Sequence, residues 1–558
     1  MYVGVDVGGT YTDAVLLSNG VVGATAKIPT KSSLLESVLG ALDIVLKDVD
    51  SGKLKRIVFS TTMITNLIAG KKYDKVALLL LPGPGMNLRY FDFHTDVRLL
   101  SGAIDYRGRE IIPLDEKEIS GVLSGLEEKG YSRVGIIGKF SPRNSSHEKR
   151  VAEIVMGKYP GWQVELGFQA GPQLNFPRRV VTTFLTCATR EPYNDFVNSV
   201  REALKKREIK ADVFILKADA GTLPLASSVE LPVETIFSGP AASTLGVEAL
   251  TPEGITEVAV DIGGTTTDIA LILDGKPLLS ARGARVDGQL TQVRTLAVRS
   301  VPIGGDSVLE LVGEKVAFRP ERFGPAYCMG GPVPTPTDAL RVLGLTSHGD
   351  EGRAREAMEK LGAPLGLGAG EIAEMVTSIA VSNITADIKK MFREWEQEPA
   401  YRIWELIHKK KIKPSVVVGV GGGAEGFIGR IAEELGCEPV TPPHAEVANA
   451  IGAAVARPTL QMSLRADTEQ GYYIFREDGL QEKISGQLFN EQKALELARG
   501  RLLEKAASYG LEVTAEEIEI THQEVFNMIR GWSTVGRLYD LTVQTPGGVA
   551  TRIEVGGK

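Results

Sequence analysis

One eighteen-residue segment of this chain occurs twice. Val3 to Gly20, VGVDVGGTYTDAVLLSNG, aligns without gaps on Val258 to Gly275, VAVDIGGTTTDIALILDG, and ten of the eighteen positions are identical. A solenoid repeats every few tens of residues, whereas this segment recurs once, about half a chain later, which implies two related domains. Each copy reads as an apolar strand, a Gly-Gly-Thr turn and a returning strand: Tyr2 to Val7 with Tyr11 to Leu17, and Val258 to Ile262 with Thr267 to Leu273. Asn19-Gly20 and Asp274-Gly275 are strong turn signals into a third strand.

Two adjacent glycines in such a turn, Gly8-Gly9 and Gly263-Gly264, let backbone N–H groups approach phosphate oxygens, and Thr10, Thr12, Thr265 and Thr267 add hydroxyl donors. An acid directly before the turn would repel bare phosphate, so Asp6 and Asp261 make sense with a hydrated Mg²⁺ between carboxylate and phosphates. Asp13 and Asp268, at the far end of each turn, are placed to orient an attacking group or a metal-bound water. With Thr10 and Thr265 they form the candidate catalytic set. For one copy a plain hairpin with a solvated acid would suffice as an explanation; two copies sharing both acids and both threonines argue for phosphate chemistry. A third piece, SVVVGVGGGAEGFIGRIAEELG (Ser415 to Gly436), is a strand, a triple glycine and a helix, and Gly421, Gly422 and Gly423 permit close approach of a nucleotide on its adenosine side or else only tight packing of strand on helix. No G-x-x-x-x-G-K-[ST] is present, which excludes a P-loop.

At 558 residues several domains are expected: a first half over 1–180, a second over 181–456 and a small α+β region over 457–558. Strand and helix alternate through the first half, Thr183 to Lys206 reads as a long amphipathic helix, VETIFSGPAAS as strand-turn-helix, and Arg319 to Pro336 as a Gly/Pro-rich insertion. Sixty-three Lys and Arg stand against 70 Asp and Glu, a net charge of -7, with no basic block interleaved with aromatics, so nucleic acid is not an expected partner. Cys187, Cys328 and Cys437 lie far apart with no zinc spacing and fit a reducing compartment; no long apolar run or leader pattern is seen, and a cytoplasmic, membrane-free and oligomeric protein is expected.

Two DxGGTxTD hairpins plus GGGAEG resemble the actin-like ATPase superfamily. Within it the chain resembles the hydantoinase A/5-oxoprolinase family through DVGGTYTD, STTMITNLIAG (Ser60 to Gly70), FSGPAAS (Phe237 to Ser243), DIGGTTTDIAL, VPIGGDS (Val301 to Ser307), GPAYC…GGPVPTPTDALRVLG (Gly324 to Gly344) and GGGAEG, in family order. The resemblance implies an α/β fold of two ribonuclease-H-like domains closing on ATP and Mg²⁺. It also implies ATP-dependent opening of a cyclic amide such as a hydantoin or 5-oxoproline through carbonyl phosphorylation, with a hydantoinase B-type subunit as partner. It places Gly304, Gly305 and Asp306 near the nucleotide, and Thr61, Thr62 and Asn66 toward substrate, against a tight turn and a capped helix start as plain alternatives. Glu446 and Asn449, on the helix after His444, reach the nucleotide or else belong to a capping loop. Cys328 is expected to be a buried structural thiol, and here Cys328-Met329-Gly330-Gly331 replaces the family's Cys-Tyr-Gly-Arg-Gly-Gly. Two other functions share these motifs: an ATP-dependent ketone carboxylase subunit, and an ATPase that remodels a partner protein.

Overall fold

Each copy of the repeat seeds its own sheet. In the first, β1 (Tyr2–Val7) pairs antiparallel with β2 (Tyr11–Ser18), which pairs with β3 (Val21–Pro29). On its other side β1 runs parallel to β4 (Arg56–Thr61), followed by β5 (Asp212–Leu216) and β6 (Thr222–Pro224). In the second, β7 (Glu257–Ile262) and β8 (Thr267–Leu273) repeat β1 and β2, and β9 (Val298–Val301) lies beside β8 as β3 lies beside β2. There β10 (Val416–Val420) runs parallel to β7, with β11 (Glu438–Val440) beyond it. The turn after each hairpin holds its Asn or Asp and its Gly in the left-handed region, with φ of 50° and 79° at Asn19-Gly20 and 49° and 75° at Asp274-Gly275. The computed structural model describes residues 1–88, 92–93, 95–319, 321–397, 412–485 and 489–554.

Six helices position the sheets: α1 (Leu34–Val45), α2 (Phe176–Lys206), α3 (Ser238–Leu250), α4 (Ala369–Glu396), α5 (Ala424–Leu435) and α6 (Ala448–Val455). The 31-residue α2 carries Asn175 as a capping acceptor for Arg178 N–H, and buries Val180, Phe184, Cys187, Tyr193 and Val200 against the first sheet's core. It returns the chain so that β5 and β6, from beyond residue 180, join the first sheet. A parallel four-stranded sheet (Gln163–Leu166, Arg133–Gly138, Ala77–Leu81, Asp96–Leu99) stands beside it.

The halves meet through α3 and α6, whose small residues let backbones touch. A side chain on Gly246 would collide with the Ala448 carbonyl, one on Gly452 with the Ala242 carbonyl, and one on Gly4 of β1 with the Ala450 carbonyl. The apolar cluster at this crossing takes Val15 and Leu17 from the first hairpin, Ala259, Ala270 and Ile272 from the second, and Ile451 and Val455 from α6. Two sheets and one short helix are thereby fixed relative to each other.

Several elements differ from expectation. VETIF is not a strand: Pro232–Thr235 is a 3-10 turn and Phe237 sits at φ 56°, because its β-branched residues are buried without any ladder to join. The third strand after Asp274-Gly275 shrinks to Lys276–Pro277, its place beside β8 being taken by β9. The Gly/Pro-rich stretch, apart from Pro320, which lies outside the described residues, contains the 3-10 turn Tyr327–Met329. The C-terminal region is a five-stranded antiparallel sheet (Gln461–Asp467, Tyr472–Phe475, Leu480–Lys483, Glu519–Arg530, Ser533–Gln544) with the helix Glu491–Ser508, sharing one apolar cluster with the first half. Among the described residues no single helix is long and apolar enough to cross a membrane.

Candidate functional site

The two turns are built alike. Gly8 N–H donates to the Tyr11 carbonyl at 3.0 Å and Gly263 N–H to the Thr266 carbonyl at 2.9 Å. Across each hairpin the two acids face one another, Asp6 opposite Asp13 and Asp261 opposite Asp268. Cross-strand partners share a face, so each hairpin contributes a carboxylate pair to one side of its sheet. Asn449, in the first turn of α6, lies between the hairpins: its Nδ2 donates to Asp6 Oδ2 at 3.3 Å and to Asp261 Oδ2 at 3.2 Å. One amide thus joins the two copies, where the close α3–α6 crossing puts it.

The clustered acids perturb one another. Burial first, then the charges of Asp13 and Asp261, push Asp6 up to about 6, against hydrogen bonds from Ser60 and Asn449. Asp268 is raised to about 7 by burial and by Asp261. Burial also raises Asp261, opposed by hydrogen bonds from Ser243 and Asn449, and it raises Asp13 despite Lys27. Asp6 Oδ1 is buried with no hydrogen-bond partner. A divalent ion would supply what these acids lack, a positive charge and an acceptor for that oxygen's lone pairs. Among the described residues no group of three His, Cys, Asp or Glu could by itself hold a metal ion.

Two different clasps hold the turns. The first is gripped by Thr30, whose N–H donates to the Thr10 carbonyl at 2.9 Å and whose hydroxyl donates to the Gly8 carbonyl at 2.9 Å. The second is gripped by the Gly304–Ser307 loop: Gly305 N–H reaches the Gly263 carbonyl at 2.9 Å, Asp306 N–H the Gly264 carbonyl at 2.6 Å, and Ser307 Oγ the Thr265 carbonyl at 3.2 Å. Gly304 packs so tightly on this turn that a Cβ would lie 2.5 Å from Thr265 N, while Asp306 pairs with Arg322 at 2.9 Å. Gly304, Gly305 and Asp306 therefore shape the second hairpin. Gly421, at φ 85°, lies where a Cβ would strike Asp261 Oδ1, and Gly423 N–H donates to the Ile262 carbonyl at 3.0 Å; a Cβ on Gly9 or Gly422 would meet nothing within 4 Å.

The structure separates the threonines. Thr10 and Thr265 are half-buried in the turns, whereas Thr12 and Thr267 are fully buried, Thr12 bonding the Thr30 hydroxyl at 3.0 Å and Thr267 the Ile303 carbonyl at 2.6 Å. The latter two hydroxyls are committed to the fold and do not face the cleft. Beside the second hairpin opens a cavity of about 780 Å³, lined by Thr61, Thr62, Ser238, Asp268, Arg299 and Trp395 among others. Asn66 is exposed, with Nδ2 on Thr62 Oγ1 at 3.2 Å, and it does not line that cavity although its neighbour Thr65 does. Glu446 is exposed and its carbonyl accepts from Lys27 Nζ at 3.0 Å. Cys328 is buried and its thiol pushed up to about 12 by burial and Asp338, as an inert packing residue.

Ser60, from the STTMITNLIAG segment, Ser238 and Ser243, from FSGPAAS, and Lys27 and Ser300, which belong to no local motif, complete the site. Their signal is positional: Ser60 is level with Asp6 on the neighbouring parallel strand, Lys27 is opposite Asp13, and Ser300 is opposite Asp268.

Comparison with known proteins agrees with this architecture. Residues 179–462 match the family model described as hydantoinase/oxoprolinase, and residues 2–158 match its N-terminal region. The chain is 26% identical over 496 residues to the caprolactamase subunit alpha of Pseudomonas jessenii, covering 79% of this chain and 68% of that one. It is 25% identical over 444 residues to the acetophenone carboxylase gamma subunit of Aromatoleum aromaticum, covering 69% and 60%. Its fold matches the nucleotide-free structure of acetone carboxylase and the structure of the ATP-dependent caprolactamase of Pseudomonas jessenii, each with TM-score 0.72, 19% identity, and coverage of 99% of this chain and 88% of that one. The duplicated actin-like ATPase architecture is the fold of this chain.

Proposed function

The chain belongs to the hydantoinase/oxoprolinase family, and we propose that it uses Mg²⁺-ATP to phosphorylate the carbonyl oxygen of a cyclic amide, such as a hydantoin, 5-oxoproline or a related lactam, and so opens the ring. The observation that carries this is the joining of two acidic, glycine-rich hairpins through Asn449, next to a cavity that exposes Asp268 beside Thr61 and Thr62. The hairpin turns and Thr10 and Thr265 hold the phosphates, Gly421 to Gly423 border the adenosine side, and Asp6 and Asp261 hold the hydrated ion. Bound there, Mg²⁺ supplies charge neutralisation for the phosphates.

An unstrained amide resists water because its carbonyl is resonance-stabilised. In the proposed reaction the carbonyl oxygen forms a bond to the γ-phosphorus, ADP leaves, and the ring N–H proton passes to the Asp268 carboxylate. Water then adds to the phosphorylated imidate carbon, the C–N bond breaks with the nitrogen taking a proton, and a second water releases inorganic phosphate from the acyl phosphate. Asp268 suits the first proton transfer because it reaches the cavity and has no cationic partner among the described residues, whereas Asp13 is bound by Lys27. A second subunit of hydantoinase B type is the proposed partner; the relatives named above are themselves subunits of larger enzymes.

The cavity also has an apolar wall that includes Leu271, Val298 and Met391, and this favours a second reading, an ATP-dependent ketone carboxylase subunit, in which Asp268 takes a proton from the α-carbon. One experiment tests both: phosphate release by the purified chain with Mg²⁺-ATP and a panel of hydantoins, lactams and ketones, with and without bicarbonate and a co-expressed B-type subunit. Ring-dependent release without bicarbonate supports the amidohydrolase, bicarbonate dependence on ketones supports the carboxylase, and failure of ATP to bind or turn over in every combination overturns both.

A further inference from the structure

Lys27 stands at a position that the duplication itself makes informative. Counting across the first sheet, Ser60, Asp6, Asp13 and Lys27 are mutual partners on β4, β1, β2 and β3 and form one row on one face. Across the second, the corresponding row is Val420, Asp261, Asp268 and Ser300. The place of Lys27 is thus taken in the second copy by a serine. There the fold tolerates a half-buried second acid with no cation, which burial and Asp261 raise to about 7. A cation beside Asp13 is therefore not a requirement of the hairpin.

The ammonium of Lys27 lies 2.8 and 2.9 Å from the two Asp13 oxygens and 3.0 Å from the Glu446 carbonyl, which uses all three of its N–H donors. It also lies 5.3 Å from the centre of the Tyr11 ring, which flanks the side chain. The side chain keeps 34% of its surface exposed while Asp13 keeps 11%, so the ammonium is the solvent-facing member of the pair and the carboxylate lies behind it. Among the described residues it is the only Lys or Arg that pairs with any of the four hairpin acids, and its charge also acts on Asp261 in the other half. Glu446 and Asn449 are neighbours at the start of α6, so Lys27 and Asn449 both tie the first hairpin to the same segment of the second half.

We propose that Lys27 is a phosphate-binding cation of the cleft, whose ammonium turns from Asp13 to the terminal phosphate of a nucleoside triphosphate when the nucleotide enters. The inference rests on the reading that ATP lies between the hairpins. A terminal phosphate brought to the Gly-Gly-Thr turns comes close to four carboxylates, and a compact ammonium able to move by a rotamer change offsets that repulsion. Asp13 is then the parking site of the cation between turnovers, while Asp268 keeps its cavity face.

The test compares two nucleotides. Binding of ADP and of the non-hydrolysable ATP analogue AMPPNP, each with Mg²⁺, is measured by calorimetry on the wild-type chain, Lys27→Met and Lys27→Arg. Loss of a charge-assisted contact to the terminal phosphate is expected to weaken AMPPNP by roughly tenfold or more in Lys27→Met while ADP stays within about twofold, with Lys27→Arg recovering much of the loss. Equal weakening of both nucleotides, or of neither, overturns the proposal and returns Lys27 to a strut between the halves. If Lys27→Met does not fold, the double variant Asp13→Asn/Lys27→Met leaves no unpaired charge, and the same selective loss is required of it. A wild-type chain that binds neither nucleotide refutes the ATP reading itself, a result distinct from a wild type that binds both and a variant that loses neither.

Discussion

The two hairpin rows are built from one segment and differ at their ends. The first ends on Lys27, which pairs with Asp13 and opposes the upward push of burial on it; the second ends on Ser300, which leaves Asp268 to burial and to the field of Asp261. One sequence pattern therefore yields an ion-paired acid in one half and an acid poised near neutrality in the other. The difference teaches that duplicated sites diverge through the strand next to the motif, since the side chain it places opposite the second acid decides whether that acid has a cationic partner.

The comparison breaks most sharply at the acids that both rows share. Asp261→Asn is expected to lower Mg²⁺-dependent ATP turnover by at least roughly a hundredfold with circular dichroism unchanged; near-normal turnover would remove Asp261 from the phosphate site. The second acids come next. Asp268→Asn is expected to cost roughly a hundredfold in kcat, and Asp13→Asn less than about tenfold, with nucleotide binding retained in both. Equal losses would show that the two rows do the same work.

The pH dependence of stability sharpens it further. Asp6 and Asp268 titrate at about 6 and 7 in the folded chain, above the ordinary 3.8. The folded state thus holds more protons than the unfolded between these values, so this contribution is fully present in acid and is lost as pH rises through 6 to 7. The ligand-free protein is expected to melt a few degrees lower at pH 8 than at pH 5, and Asp268→Asn to flatten that slope more than Asp13→Asn. A melting temperature that rises over this range would refute the assignment.

The smallest effect separates the threonines. Thr12→Val is expected to cost about 1 kcal/mol of stability through its lost bond to Thr30 and to leave nucleotide affinity unchanged, whereas Thr10→Val weakens ATP at little cost in stability. Reversed outcomes would place the Thr12 hydroxyl in the cleft after all.

How much of this was legible in the chain depended on range. Both hairpins, their left-handed turns and the strand-glycine-helix unit at Val416–Val420 and Ala424–Leu435 were readable because alternation, Gly-Gly turns and helical spacing are local signals. The opposite faces of Thr12 and Asp13 also follow from the two-residue period, which makes Thr12 and Thr267 poor phosphate donors once Asp13 and Asp268 face the cleft. Lys27 was hidden by a bulge. Counting from the Asn19-Gly20 turn puts Ala26 opposite Asp13, but the register shifts by one between Leu16 and Leu17 and brings Lys27 there instead.

The sequence by itself determined that two phosphate-type hairpins exist, that each carries two acids, and which family of folds holds them, because these are properties of short segments and of their order. Only the tertiary structure decided how the copies meet: α6 is carried onto β1 and α3 by contacts at Gly4, Gly246 and Gly452, and Asn449 is thereby placed on Asp6 and Asp261 at once. It also decided which second acid is free. The partner of each second acid arrives from a distant part of the chain, Lys27 opposite Asp13 and Ser300 opposite Asp268, and no local pattern encodes a neighbour that folding alone brings near.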